Sequence, residues 1–479
     1  MFNFQNSYSH LPANFFSPAN PDKVASPALI EFNHEFAKGV LGLDLDGVTD
    51  QELAEIFTGQ VIPQNADPIA LAYAGHQFGH FVPQLGDGRA ILLGEVVTPK
   101  GRRYDLQFKG SGRTPFSRNG DGKSSLGPVI REYIVSEAMH FLGVPTTRAL
   151  AAAATGDMVY REEALPGGIF TRVASSHIRI GTLEFFGARS DIDSLKSLTD
   201  YAIDRHYPEI KNEENLYLSF IRSVAQSHAA LVAKWMSVGF IHGVMNTDNM
   251  SISGETIDYG PCAFMDNFAA DRVYSSIDRH GRYAYNNQIP IAKWNLFQLA
   301  SCLLPLIHKD EQEAIRITEE SINSYTRIYE EKWLESMSKK LGLFDARPED
   351  EALINQWLKF LEDEDLDFTV SFRQLAESEN DLKDHSLFKD FSTRWNKRLD
   401  AQPQSLQDSI ELMNHVNPLF IPRNHQVERA IQSALKGDYS VFKEMNELLK
   451  APFVDQEQFV AYKEAPKPEE RIKGTFCGT

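Results

Sequence analysis

The stretch FIHGVMNTDNMSISGETIDYG, residues 240–260, carries the polar residues that decide the fold prediction. Asn249 follows His242, and Asp258 opens an Asp-Tyr-Gly tripeptide. An amide oxygen and a carboxylate are ligands that Mg²⁺ accepts, and such a metal neutralises phosphate charge during phosphoryl or nucleotidyl transfer. The stretch therefore predicts a metal–nucleotide site at Asn249 and Asp258, although Asp-Tyr-Gly alone also suits a solvated turn.

The spacing of this stretch matches the protein-kinase pattern H-R-D-x-x-x-x-N followed by D-F-G. Counted from His242, Asn249 takes the position of the metal-binding Asn and Asp258 that of the first D-F-G residue. Val244 stands where a kinase carries its catalytic aspartate. Asp248 supplies a carboxylate beside Asn249 that could accept a hydroxyl proton, and an Asx turn or a helix cap is its alternative role.

A kinase-like cleft also needs a strand lysine held by a helical glutamate. The β-like run DLQFKGSG ends near Lys109, and the helix that follows carries Glu132, the predicted ion-pair partner. Glu137 on the same helix is the rival partner, and a solvated surface charge is the alternative for Lys109. The order Lys109, Glu132, Asn249, Asp258 is that of a kinase.

Glycine-rich and basic segments could supply phosphate contacts. QLGDGRAILLGEV does not match G-x-G-x-x-G, but its turn would let backbone approach phosphates closely, unless it is an ordinary hairpin turn. The loop GSGRTPFSRNGDGKSSLGP precedes a helix and suits anion binding. Arg172 and Arg179 in GGIFTRVASSHIRIGTLEFF are further cations, with surface arginines as the alternative. HQFGH, residues 76–80, lacks the central Glu of a zinc motif, so a zinc site is rejected there.

Composition limits the class of protein. The chain has 479 residues, 42% of them apolar, and a formal net charge of −18, which argues against nucleic-acid and anionic-membrane binding. The longest apolar stretch, WNLFQLASCLLPLIH, is too short to cross a bilayer. The first residues show no signal or transit-peptide pattern, so we expect a cytoplasmic location.

The chain divides by pattern into a strand-rich part and a helical part. We predict an α+β, protein-kinase-like bilobal fold with a strand-rich N-lobe, a larger helical C-lobe and two terminal extensions. Residues 1–75 form an N-terminal extension of loops and short helices. The N-lobe spans 76–155, the C-lobe core with the catalytic loop and metal site spans 156–290, and a helical part with a cysteine-containing tail spans 291–479.

Six long motifs resemble the selenoprotein O (YdiU) family, pseudokinase-like enzymes that transfer AMP from ATP to protein hydroxyls. They lie along nearly the whole chain: NSYSHLPANFF, YAGHQFGHFVPQLGDGRA, LQFKGSGRTPFSRNGDGKSSL, REYIVSEAMHFLGVPTTRAL, HGVMNTDNMSISGETIDYGP and NPLFIPRNHQVERAI. The resemblance implies a protein adenylyltransferase that uses Mg²⁺, with Mn²⁺ as the alternative, and ATP as co-substrate. It also implies that ATP is flipped relative to a kinase and that pyrophosphate leaves.

The resemblance carries roles to individual positions. It implies Asp248 as the proton acceptor and Asn249 and Asp258 as metal ligands. It implies nucleotide contacts from Gly86, Gly88, Arg89, Lys109, Asp121, Gly122, Arg172, Arg179 and Asp258. The partners are then ATP and proteins with Ser, Thr or Tyr hydroxyls, without nucleic acid or membrane.

The C-terminus departs from the family pattern. Members often end in Cys or selenocysteine and two serines, whereas this chain ends Cys477-Gly478-Thr479. Some bacterial relatives pair the terminal cysteine with one downstream of Asp-Tyr-Gly, and the matching stretch DRVYSSIDRHGRY has none. A redox role for Cys477 therefore stays open, with Cys262 as a conjectural partner.

Two other functions remain open. The metal-site residues would equally permit a conventional kinase that transfers the γ-phosphate, and an ATP-binding scaffold that lost its chemistry with Val244 is the third hypothesis. The position of the transferred label separates them, because α-labelled ATP marks the acceptor of an adenylyltransferase and γ-labelled ATP that of a kinase.

Overall fold

The strands of the chain form one large antiparallel sheet and two short pairs in the residues that the computed structural model describes, 2–378 and 380–476. The strands are β1 Phe16–Pro18, β2 Ala28–Phe32, β3 Ile69–Leu71, β4 Gly75–Gln77, β5 His80–Val82, β6 Ala90–Val97, β7 Arg103–Lys109, β8 Ser124–Ser125, β9 Arg148–Tyr160, β10 Ala164–Ala174, β11 Phe240–Ile241 and β12 Ala263–Phe264.

The large sheet has the order β1-β3-β6-β7-β10-β9-β2, with β8 paired to β10. In its centre, β7 pairs with both β6 and β10, so that Lys109 lies opposite Ala90 on one side and Phe170 on the other. Arg172 of β10 lies opposite Gln107 of β7. This register brings basic residues that are distant in sequence to one region of the sheet.

The N-terminal 75 residues contribute strands that the sequence analysis did not predict. β1 and β2 are the two edges of the large sheet, and β3 lies beside β1. These strands have three to five residues each, too few for an alternating pattern to be recognised. The proline-rich flanks that indicated loops are compatible with edge strands, because an edge strand leaves backbone amides unpaired.

Helices dominate the second half of the chain. Their bounds are α1 His34–Phe36, α2 Asp50–Phe57, α3 Leu126–Phe141, α4 Ile180–Gly187, α5 Ile192–His206, α6 Leu216–Ser237, α7 Gln288–Ile307, α8 Glu311–Lys340, α9 Asp350–Asp363, α10 Phe368–Gln374, α11 Ser386–Asp400, α12 Leu406–Val416, α13 Asn424–Ala434 and α14 Ser440–Leu448. The segment 424–450 contains two helices, because Gly437 between them has a φ of +84° that ends the first.

Two apolar cores cover opposite faces of the sheet. On one face α3 packs with α13 and α14, and on the other α2 packs against residues of β6, β7 and β9. A third, larger core joins the helices from α4 to α12 and buries Trp235 and Trp357. The prediction of an α+β chain is confirmed. Within the described ranges, none of the helices combines the length and apolar character needed to span a membrane.

Candidate active site

A cleft of about 330 Å³ lies between the centre of the large sheet and the short helical turn Thr247–Asn249. Eight residues selected from the sequence line this cleft: Gly88, Arg89, Lys109, Arg172, Arg179, Asp248, Asn249 and Asp258. They come from the turn before β6, the end of β7, β10, the start of α4 and the stretch after β11. These residues span more than half of the first 260 positions of the sequence, and the fold brings them into one cavity.

Lys109 forms an ion pair at the base of the cleft. Its Nζ lies 2.5 Å from Oε2 of Glu132 on α3, and both side chains are largely buried. Glu137, the rival partner, instead accepts hydrogen bonds from Arg148 at 2.8 and 2.7 Å and from the amide of Ala149 at 2.9 Å. Five residues along an α-helix correspond to a rotation of about 140°, so Glu132 and Glu137 point to different neighbours.

Asp258 is the most heavily paired carboxylate of the cleft. Its Oδ1 accepts from Lys109 at 3.0 Å and from Arg172 at 2.7 Å, and its Oδ2 accepts from Arg179 at 2.8 Å. Burial alone would raise its pKa, but Arg172, Lys109 and Arg179 together hold the pKa of Asp258 well below its ordinary value. Asp258 is therefore ionised throughout the physiological pH range.

Arg172 and Arg179 are buried side chains rather than surface arginines. Arg172 donates to Glu132 at 3.2 Å and to Gln107 Oε1 at 2.6 Å, in addition to Asp258. Arg179 also donates to the backbone carbonyl of Asp248 at 2.7 Å. Buried cations are stabilised by such partners, and these two direct their charge into a cavity that could accept further anionic oxygens.

Asp248 differs from Asp258 in being underpaired. It is 6% exposed, its Oδ2 accepts from Gln77 at 3.4 Å, and its Oδ1 has no hydrogen-bond partner among the described residues. Loss of water on burial raises the pKa of Asp248 to about 6, although Arg179 lowers it in part. A carboxylate with one long hydrogen bond and this pKa is suited to accept a proton near neutral pH.

Asn249 and Asp258 meet the chemical requirements of a hard divalent cation. The Asn249 amide nitrogen donates to the carbonyl of Val244 at 3.0 Å, which leaves the amide oxygen for another partner. In the part of the chain that the structure describes, no cluster of three or more His, Cys, Asp or Glu side chains could hold a metal. A metal held by this pair would need phosphate or water oxygens for its remaining ligands, which is usual for Mg²⁺.

The β4–β5 hairpin, which carries the HQFGH sequence, supports the Thr247–Asn249 turn. Its His76 Nδ1 lies 2.5 Å from Oε1 of Glu184, and Thr247 donates to the other oxygen of the same carboxylate. The His76 amide donates to Thr247 Oγ1 at 2.7 Å, and the Phe78 amide donates to Asn246 Oδ1 at 3.0 Å. The unusual composition of HQFGH set this segment apart in the sequence, but its role in supporting the Thr247–Asn249 turn was not predicted.

Asp87 lines the cleft and was not predicted from the sequence. Its Oδ2 accepts from the amide of Leu71 at 3.2 Å and from Gln107 at 3.0 Å, and its Oδ1 lies 3.9 Å from Arg179. Burial raises the pKa of Asp87 to about 6, against the lowering effect of Arg179. Asp87 lies between Gly86 and Gly88 in the predicted phosphate-binding turn, and this position is the sequence feature that could have identified it as a cleft residue.

Gly86, Asp121 and Gly122 lie outside the lining of the cleft. Gly86 has a φ of +80° and stacks on Phe116, so it shapes the turn that presents Gly88. Asp121 receives two hydrogen bonds of 2.9 Å from Arg161, which lower its pKa. The loop that contains Asp121 contacts the cleft turn through Thr114, whose hydroxyl donates to the Asp87 carbonyl at 2.6 Å.

The C-terminal tail packs beside the cleft. Thr475 donates from its amide to the Tyr274 carbonyl at 2.7 Å and from its hydroxyl to the Pro261 carbonyl at 2.6 Å. Pro261 lines the cleft and precedes the buried Cys262. Cys477, the predicted redox residue, lies outside the described residues.

The family model described as Protein adenylyltransferase SelO matches residues 1–450. Three curated relatives share the name Protein nucleotidyltransferase YdiU. That of Rhizobium meliloti is 52% identical over 489 residues, with 100% of this chain and 99% of the relative covered. That of Bradyrhizobium diazoefficiens is 52% identical over 488 residues with the same coverage, and that of Agrobacterium fabrum is 50% identical over 488 residues with 100% of both chains covered.

Proposed function

Because the chain belongs to the protein adenylyltransferase SelO family, we propose that it transfers AMP from ATP to Ser, Thr or Tyr hydroxyls of proteins. The observation that carries this proposal beyond the family is that the carboxylate of Asp248 lines the same cleft as the buried cations Arg172 and Arg179. An acceptor hydroxyl and a phosphate chain must meet between a base and positive charge, and the cleft offers both.

In the proposed reaction the acceptor oxygen attacks the α-phosphorus of ATP and the bond from that phosphorus to the bridging oxygen of the β-phosphate breaks. The hydroxyl proton passes to the carboxylate of Asp248, and pyrophosphate leaves with the bonding electron pair. Lys109, Arg172 and Arg179 stabilise the charge that develops on the phosphate oxygens. Glu132 orients Lys109 through their ion pair.

We assign the metal to Asn249 and Asp258, with Mg²⁺ as the natural ion and Mn²⁺ as the alternative. When bound, a divalent cation would neutralise phosphate charge next to the reacting centre. Asp258 is suited to this role because its low pKa keeps it ionised. Its oxygens would bind the metal either in addition to the three cations that they contact or in place of some of them.

The nucleotide contacts are proposed for Gly86, Gly88, Arg89, Lys109, Asp121, Gly122, Arg172, Arg179 and Asp258. The burial of Arg172 and Arg179 supports a flipped nucleotide, because these charges favour phosphates deep in the cleft where a kinase would bind adenine. Asp121 and Gly122 would act through the loop that buttresses the Asp87 turn, since they do not line the cleft.

We further propose a protein-kinase-like bilobal arrangement, with the cleft between the strand-rich and helical parts. The proposed units are 1–75, 76–155, 156–290 and 291–479. The Lys109–Glu132 ion pair supports this arrangement. β9 crosses the boundary at residue 155 and β10 belongs to the same sheet, so we propose that the strand-rich part extends to Ala174. β1, β2 and β3 attach the first unit to the sheet of the second, so we propose that these two fold together.

The proposed partners are ATP and hydroxyl-bearing proteins, in the cytoplasm and without nucleic acid or membrane. The net charge of −18 supports the exclusion of polyanions. A regulatory disulfide of Cys477, with Cys262 as its conjectural partner, remains a proposal supported by the position of Thr475 beside Pro261.

The deciding experiment follows the label of ATP. The purified chain is incubated with Mg²⁺, a protein lysate and ATP labelled at either the α- or the γ-phosphate, and modified residues are identified by mass spectrometry. We expect α-label and an added AMP, both absent with Asp258→Ala. Transfer of the γ-label would instead identify a kinase. A chain that is thermally stabilised by Mg-ATP but transfers neither label would be a scaffold.

A further inference from the structure

A second groove of about 610 Å³ opens beside the cleft. We call it the basic groove and define it by His80, Ile277, Arg279, His280 and Arg282. Phe78 and Ile277 line both the groove and the cleft. A polypeptide that enters the cleft from this side therefore crosses the groove.

Arg279 and Arg282 of the groove differ from three cations of the cleft in lacking carboxylate partners. Lys109, Arg172 and Arg179 are each paired with a carboxylate. In residues 2–378 and 380–476, by contrast, no carboxylate oxygen lies within 4.0 Å of the charged nitrogens of Arg279 or Arg282. The positive charge of the groove is thus available to a ligand.

Asp278 is the one acidic side chain among the described residues that line the groove, and it is already engaged. Asp278 accepts the amide of Arg282 at 3.0 Å and that of Tyr283 at 2.7 Å, so its carboxylate organises the loop. Arg282 is held in place by stacking over Trp294, with 4.8 Å between its guanidinium carbon and the ring centroid. Arg279 and His280 are exposed. The groove therefore combines one guanidinium that is held against an aromatic ring, Arg282, with an exposed one, Arg279.

We propose that the basic groove binds an extended acidic segment of the acceptor protein, next to the hydroxyl that is modified. This inference rests on the proposed transferase function and names the class of acceptor. Carboxylates of the segment would pair with Arg279 and Arg282, which can bind them in bidentate fashion. Ile277, which is 58% exposed, would contact apolar side chains of the same segment. Local positive charge on a chain of net charge −18 also favours this docking site over the rest of the surface.

A binding measurement tests the groove without depending on catalysis. Two rhodamine-labelled peptides are compared, each with one Tyr and differing in two flanking Glu residues that are replaced by Gln. Fluorescence anisotropy without ATP should give a Kd roughly three- to tenfold lower for the Glu peptide at low salt, and the ratio should fall towards one as salt screens the charges. Arg279→Gln should reduce the same ratio.

Arg394→Gln is the matched control, because Arg394 is an exposed arginine on α11 that donates to Gln356 and has no carboxylate partner in the described part of the chain. It should leave the peptide ratio unchanged. Arg279→Glu should invert the preference towards a peptide with flanking Lys. Equal Kd values for the Glu and Gln peptides would overturn the proposal, as would a ratio that Arg279→Gln does not alter.

The transfer assay separates the groove from the function. Tighter binding of the Glu peptide in a chain that transfers no label would support the groove and reject the transferase. Transfer with equal kcat/KM for both peptides would support the transferase and reject the groove. A rise in the KM for ATP in Arg279→Gln, with the peptide ratio unchanged, would overturn the proposal by assigning the groove to the nucleotide.

Discussion

Asp248 and Asp258 line the same cleft, but their surroundings are opposite. Asp258 accepts hydrogen bonds from three cations through both of its oxygens. Asp248 receives one long hydrogen bond from Gln77, and no donor within the described ranges reaches its Oδ1. The same side chain is therefore a permanent anion at one position and a titratable group at the other.

The difference illustrates how environment assigns roles to identical carboxyl groups. Burial removes water from both, which alone would raise both pKa values. Three neighbouring cations reverse the effect at Asp258, whereas at Asp248 the opposing effect of Arg179 is incomplete and the pKa is about 6. When the pKa values of two carboxyl groups are pushed apart, the group with the lower pKa can act as a fixed ligand and the group with the higher pKa as a proton acceptor.

Replacing Asp258 should have the largest effect. Asp258→Ala removes the proposed metal ligand and leaves Lys109, Arg172 and Arg179 without their shared carboxylate. We expect transfer of α-label to fall by at least roughly a thousandfold, together with a lower Tm because buried cations lose a partner. Label incorporation and thermal unfolding measure the two effects.

Asp363→Ala is the control for this variant, because Asp363 is a partly exposed aspartate of α9 that pairs with Lys359. It should retain full transfer and a Tm close to that of the unaltered chain. Asp258→Asn keeps the shape of the side chain but not its charge, and should lose transfer as well. Transfer at the normal rate in either Asp258 variant would remove this residue from the site.

Replacing Asp248 should slow chemistry and spare nucleotide binding. Asp248→Asn preserves the size of the side chain but cannot accept the hydroxyl proton, so kcat should fall by roughly 10²- to 10⁴-fold. The KM for ATP should change by less than about threefold, because the phosphate-binding cations do not depend on the Asp248 side chain. Steady-state kinetics separate the two parameters. A rise in KM at constant kcat would show that Asp248 binds substrate instead.

The identity of the cleft residues could largely be predicted from the sequence, because the motif residues lie close together along the chain. Residues 240–260 contain Asp248, Asn249 and Asp258 in fixed order, and the helix pattern placed Glu132 after Lys109. The opposite surroundings of the two aspartates could not be predicted. They depend on the register of β7 with β10, which places Arg172 opposite Gln107 and within reach of Asp258.

Long-range contacts also explain why the roles of Asp87 and His76 were not predicted from the sequence. Asp87 is recognisable as a cleft residue only when β7 brings Gln107 to it, and His76 only when α4 presents Glu184. The choice of Glu132 over Glu137 depends on which face of α3 packs on the sheet. Local pattern is a weak guide to such pairings, since packing between distant elements determines them.

The pH dependence of transfer should distinguish the two aspartates further. Asp248 must be deprotonated to accept a proton, and its pKa is about 6. We therefore expect kcat to rise about tenfold per pH unit below pH 6 and to level off above it. Asp258, whose pKa is well below the ordinary value, should contribute no transition in this range.

Asp87 also has a pKa of about 6, so a second variant is needed to assign the transition. The residual activity of Asp248→Asn should show no inflection near pH 6, although Asp87 is unchanged in it. Asp87→Asn should retain the inflection. Rates measured with saturating Mg-ATP between pH 5 and 8 test both expectations, and an inflection that persists in Asp248→Asn would assign the titration to another group.

A smaller and more selective effect is expected from Gly75, where the β4–β5 hairpin meets the proposed base. A Cβ added at Gly75 would overlap Oδ1 of Asp248 and lie 2.9 Å from its Cβ and Cγ atoms. Gly75→Ala should therefore displace Asp248, lowering kcat by about tenfold while Mg-ATP still raises the Tm, because misplacement of a reacting group by about 1 Å is costly.

Gly39→Ala is the steric control for this variant, since a Cβ at Gly39 meets no heavy atom within 4 Å. It should leave both kcat and the Tm gain from Mg-ATP unchanged. If Gly75→Ala lost the Mg-ATP stabilisation together with activity, the hairpin would support the Asp258 side of the cleft as well, and the two aspartates would be mechanically coupled. If kcat were unchanged, Asp248 would tolerate displacement, which a proton acceptor that must meet an oxygen at hydrogen-bond distance does not.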